Sequence, residues 1–105
     1  MSGWTYLLLA GVLEIGFAST LKLTEGFTKL MPSLVFLFFA VFSFYFLTKA
    51  TQTIPVGTAY AVWTGIGAAG TIIVGIFFYN EPAHLWRLFF LFTLVASIVG
   101  LKLVS

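Results

Sequence analysis

The side chain with the most chemistry in this sequence is Glu14, an acid set within an otherwise apolar run. It lies about ten residues into that run. At a rise of about 1.5 Å per helical residue it sits roughly 15 Å deep, near the middle of a bilayer. A charge there costs from ~3 to over ~10 kcal/mol, depending on how far water and neighbours relieve it. Desolvation favours the neutral acid over the carboxylate. Such a group can hold a proton or bind a cation, but is poorly off with neither. A structural ion pair is the other use for it, yet no second charge lies at similar depth. Lys22, Lys49, Arg87 and Lys102 all fall near the ends of apolar runs, where long side chains reach the interface.

Other residues are candidates for the same site. Helical spacing puts Leu7, Ala10, Gly11, Phe17, Ala18 and Leu21 on the face of Glu14. The small ones leave space for a ligand or admit a neighbouring helix. Tyr60 and Trp63 are either packing aromatics or site walls, a phenol that can bond a carboxylate and an indole face that can hold a cation. Ser43 lies mid-run; a hydroxyl there can reach a carboxylate, although Ser in membrane helices more often bonds its own backbone.

These side chains need elements to carry them, and the composition says which. Only 8% of 105 residues are charged and 13 are Phe, so lipid is the fitting solvent. Without cysteine there is no disulfide, thiolate nucleophile or iron–sulfur site. A lone His84 with three acids, all Glu, makes a metal cage unfavourable, and five scattered cations form no nucleic-acid stripe. No cofactor is expected. The N-terminal run has no charged leader and contains Glu14, so it reads as a retained helix and not a signal peptide.

Four apolar runs are long enough to cross a bilayer core of about 30 Å as helices. They cover about Trp4–Leu21, Pro32–Ala50, Val56–Phe78 and Leu85–Val104, so residues 1–105 read as one all-α, four-helix transmembrane domain. Gly and Pro punctuate the short connections, and Trp4, Tyr6, Tyr79 and Trp86 stand near the ends, as interfacial aromatics do. The stretch Gly65-Ile66-Gly67-Ala68-Ala69-Gly70 fits a dinucleotide-binding pattern but lies inside an apolar run with no preceding strand, so it is set aside. With no nucleophile–base pair or metal set beside Glu14, an enzyme is not expected.

Gly57, Ala61, Gly65 and Ala69 recur every four residues as a ridge for close helix contact, and Ala96 with Gly100 forms a second such pair, suited to a dimer contact. Gly65, Gly67 and Gly70 also loosen the third helix, a place for a kink or hinge. Cations divide nearly evenly, Lys22, Lys29 and Arg87 at one end against Lys49 and Lys102 at the other. So small a bias does not fix an orientation and permits insertion both ways. One four-helix chain encloses little volume, so a homodimer with two Glu14 carboxyls in one cleft is expected.

Over its whole length the chain resembles the small multidrug resistance transporters, more closely their guanidinium-exporter subtype. The most specific stretch is Pro55-Val56-Gly57-Thr58-Ala59-Tyr60-Ala61-Val62-Trp63-Thr64-Gly65-Ile66-Gly67-Ala68, supported by Glu14 followed by Lys22, Glu25-Gly26-Phe27-Thr28, Pro32-Ser33, Ser43-Phe44-Tyr45, Glu81-Pro82 and Gly100-Leu101-Lys102. The resemblance implies an antiparallel, dual-topology homodimer in the bacterial inner membrane that exchanges protons for a small organic cation. It implies that Glu14 binds proton or cation, Tyr60 gates, Trp63 lines the site, Ser43 contacts Glu14, Gly65-Ile66-Gly67 bends, and the fourth helices join the two chains. Thr58, Thr64, Ala18 and the Gly-Leu-Lys ending resemble the guanidinium exporters. Phe17 departs from them, since Trp is usual there, and Ser19 and Thr20 resemble the multidrug branch. Guanidinium is the expected cargo, and these departures point to a range broader than guanidinium or different from it. Lipophilic quaternary ammonium export and a non-transporting membrane partner subunit are the alternatives.

Overall fold

A computed structural model describes residues 2–104. It contains four long helices: α1 (Gly3–Leu21), α2 (Leu30–Ala50), α3 (Val56–Phe78) and α4 (Leu85–Val104), each long and apolar enough to cross a membrane. The termini obey local rules. Ser2 caps α1, its hydroxyl accepting from Thr5 N–H at 3.2 Å. Pro32 sits in the first turn of α2, which starts at Leu30, two residues before the expected run; its missing N–H is one of the groups a helix start leaves unpaired. Pro55 precedes α3 as its N-cap residue.

The connections are short and internally bonded. After α1 a single 3-10 turn (Lys22–Thr24) leads into Glu25, Gly26 and Phe27, all with left-handed backbone. Buried Thr24 holds this turn, donating to Leu21 O at 2.7 Å and accepting from Phe27 N–H at 3.3 Å. Between α3 and α4, Arg87 clasps the loop, its guanidinium bonding Pro82 O at 2.8 Å and the Glu81 carboxylate at 2.7 Å.

Packing is unequal. α1 lies against both α2 and α3, whereas α2 and α3 touch each other little and α4 lies against α3. Gly16 admits the Phe39 ring from α2 and Gly11 admits Ile66 from α3, so α1 fits closely on both sides. Because α1 and α3 run parallel, the Tyr79 hydroxyl at the end of α3 donates to Ser19 O near the end of α1 at 2.6 Å. A small core gathers around Leu7, Ala10, Ala50, Ile54, Ala59, Val62 and Trp63.

The result is a slab, 39 × 34 × 18 Å. No cavity is enclosed among the described residues, and α4 contributes no buried residue. Backbone groups are satisfied within the helices, so the apolar outer faces can meet lipid or another chain.

Candidate functional site

Glu14 stands in the middle of α1, where α1 meets α3. It is half-buried, and its Oε1 is buried with no hydrogen-bond partner. Opposite it lies Gly67: a Cβ built there would overlap the Oε1, Cδ and Cγ of Glu14. No basic side chain pairs with it among the described residues; the two ion pairs, Lys29–Glu25 and Arg87–Glu81, lie in loops and at a helix start. α3 has no charged residue and α2 only Lys49, near its end. The acid thus sits in low-dielectric surroundings without a counter-charge among the described residues, and its buried oxygen has no donor there, a costly arrangement.

One turn before Glu14, three helices are tied at one point. The Trp63 indole N–H donates to the Ser43 hydroxyl at 3.0 Å, and that hydroxyl donates to Ala10 O at 2.7 Å. Ser43 is fully buried and Trp63 5% exposed, so these bonds are made out of water, where leaving either donor unpaired is costly. The expected Ser43–Glu14 contact is replaced by this relay. Its acceptor, Ala10 O, is the carbonyl that helical spacing pairs with the Glu14 N–H. Ser43 bonds neither its own helix nor the acid, and serves to hold α1, α2 and α3 in register.

Around Trp63 the aromatics cluster: Phe44 at 5.2 Å between ring centroids, Tyr60 at 5.6 Å and Phe17 at 6.4 Å. Phe17 also meets Phe36 edge-on at 5.4 Å. Tyr60 is 57% exposed and faces outward beside Trp63. Phe36 and Phe44 were not singled out from the sequence as site residues. Phe36 lies two turns before Ser43 on the same helical face, a signal that could have found it, whereas Phe44 is its chain neighbour on a different face and has no such signal.

The small residues divide by role. Ala10 and Gly11 are buried in helix contacts, so of their two possible uses the structure displays close approach, with Ala10 adding its carbonyl. Gly65 is buried against α4, where a Cβ would come within 2.8 Å of Ile98 Cδ1. α3 runs as one uninterrupted helix through Gly65 and Gly67. Ala96 and Gly100 are exposed on α4, with open space around Gly100.

Residues 2–94 match the family described as Small Multidrug Resistance protein. A guanidinium exporter of Proteus vulgaris is 48% identical over 102 residues, covering 97% of this chain and 98% of that one. Guanidinium exporters of Citrobacter freundii and Klebsiella oxytoca are each 51% identical over 100 residues, covering 95% of both chains. These relatives are named as transporters and not as enzymes.

Proposed function

The chain belongs to the small multidrug resistance family and is a multi-pass protein of the bacterial inner membrane, and on that premise we propose that it exports small cations, guanidinium above all, in exchange for protons. The observation that carries this reading is the Glu14 carboxyl, mid-helix, with a buried oxygen that no group among the described residues satisfies. The relatives' name supplies the cation. Guanidinium is planar, and its fork can give parallel hydrogen bonds to a carboxylate. A proton removes the charge that attracts it. Either ligand relieves the acid and each excludes the other, which is what an exchanger needs.

The working unit in this proposal is an antiparallel homodimer. The slab leaves Glu14 on an open face, and a second copy would close it into a cleft with two carboxyls. The near-even division of cations between the ends supports insertion in both orientations. The outward side of α4, with Ala96 and Gly100, is free to join the chains. Tyr60 stands at the mouth as a gate, Trp63 and Phe17 form the wall, and Gly65-Ile66-Gly67 bends as the cleft changes its open side.

Purified protein in liposomes should take up guanidinium against an imposed pH gradient. Apparent guanidinium affinity should weaken as pH falls, by up to about one decade per pH unit for each proton displaced. Glu14→Gln should remove both the flux and the pH dependence. Normal rates in Glu14→Gln sink the proposal, and absence of flux from the purified wild type favours a partner subunit that does not itself transport.

The exposed rings of Phe44 and Tyr60 beside Trp63 favour a second reading, export of lipophilic quaternary ammonium ions. These lack donors and would rest on ring faces. Competition between guanidinium and tetraalkylammonium for uptake separates the two readings.

A further inference from the structure

Three glycines of α3 lie close together; Gly65 is filled from α4, Gly67 and Gly70 from α1. A Cβ at Gly65 would meet Ile98 of α4, one at Gly70 would strike Ile15 of α1, and one at Gly67 would strike the carboxyl end of Glu14. Gly65 and Gly70 are notches for apolar side chains. Gly67 is the notch for the acid.

An acid can be held in place in two ways. A hydrogen bond would fix it but would occupy a lone pair and compete with an incoming donor. Contact with bare backbone fixes it by shape and leaves its lone pairs uncommitted. Glu14 shows the second arrangement, with Oε1 buried against Gly67 and no hydrogen-bond partner. The elements packed on this part of α1 present no charge that could hold it instead: α3 has none, α2 has only Lys49, and the hydroxyl of Ser43 is committed to Ala10 O.

Resting on the reading of Glu14 as the cation-binding group, we propose that Gly67 is a positioning residue: its bare backbone is the seat that orients the Glu14 carboxyl without a hydrogen bond, so that its lone pairs stay uncommitted until the cation arrives. This role differs from flexibility, because it depends on the missing Cβ and not on the softness of the helix. The atoms that a Cβ would strike are the far end of a flexible side chain. In Gly67→Ala the helices can therefore stay in place while the carboxyl swings off its seat. Binding then suffers more than turnover.

The test is a cycle with Glu14→Asp, whose carboxyl is one methylene shorter and leaves room for the added methyl. Proteoliposomes carrying wild type, Gly67→Ala, Glu14→Asp and the double variant are compared for guanidinium KM and kcat. Gly67→Ala should raise KM by about tenfold, the scale of one charge-assisted hydrogen bond, with kcat changed much less. The double variant should be no worse than Glu14→Asp alone. A direct reading comes from protein labelled with carbon-13 at Glu Cδ and Gly Cα, in bilayers. Magnetisation should pass between Glu14 and Gly67, and Glu14→Gln assigns that signal against those of Glu81 with Gly75 and Glu25 with Gly26. Losses that multiply in the double variant, a fall in kcat with KM unchanged, or absence of the Glu14–Gly67 signal would each overturn the seat. A wild type that shows the signal but neither binds nor moves guanidinium refutes the cation reading instead, and the two failures are thereby told apart.

Discussion

A buried hydroxyl with two partners on two other helices is a demanding residue to replace. Ser43 accepts from Trp63 and donates to Ala10 O, so Ser43→Ala leaves an indole N–H with no acceptor in a site closed to water. The expected cost is about 1–2 kcal/mol, less than in a soluble core because the unfolded chain in a membrane also finds partners. Thermal denaturation in detergent should register it, and Trp63 fluorescence should shift as the ring loses its anchor. A variant with unchanged stability and emission would mean that the relay is absent in the bilayer. The same residue marks the limit of reading a site from its letters. Glu14 was legible because burying an acid in lipid has so high a cost that its presence needs a use. Ser43 was legible as a polar group at depth, but its partner was not. Which of several nearby acceptors a hydroxyl reaches depends on the registry of three helices, and no spacing along one helix contains that. Gly67 was visible as a glycine, yet what fills it comes from another helix.

Helices were the most legible level, since apolar runs of bilayer length leave few alternatives. The loops were less so. Glu25 and Phe27 adopt left-handed backbone beside Gly26, a conformation that only the glycine announces. Element by element, glycine in α3 invites two explanations, bending and packing, and the structure attaches a neighbour to each of Gly65, Gly67 and Gly70. At Gly65 the two can be separated. A methyl there presses on Ile98, and overpacking of that kind costs about 1–3 kcal/mol. Gly65→Ala should therefore lower the melting temperature and loosen α4 from α3. Adding Ile98→Ala removes the obstructing side chain and should recover much of the loss in stability. If packing is all that Gly65 provides, guanidinium transport recovers alongside. Transport that stays depressed after stability returns would assign the bending role to Gly65.

For the whole molecule, the slab shape and the charge pattern lead to one expectation. A slab that leaves Glu14 half-exposed does not surround it, and cations split almost evenly between its ends give insertion little preference. If the proposed antiparallel pair is the working unit, orientation becomes a requirement for activity that can be manipulated from the loops alone. Thr28→Lys with Lys102→Gln moves positive charge to the Lys22 end, and Lys29→Gln with Gln52→Lys moves it to the Lys49 end. These positions lie away from Glu14, and the Lys29–Glu25 pair given up in the second set is exposed and contributes at most about 1 kcal/mol. Each set should bias the chain toward one orientation, opposite to the other, as read by reporters fused to the C-terminus. Expressed singly, each biased chain should lose most guanidinium export, because it lacks partners of the opposite orientation. Expressed together, the two should restore export toward the wild-type level. Full activity from either set alone, with its orientation shown to be uniform, would rule out the antiparallel pair and leave a parallel assembly or a single chain to close the face on which Glu14 lies.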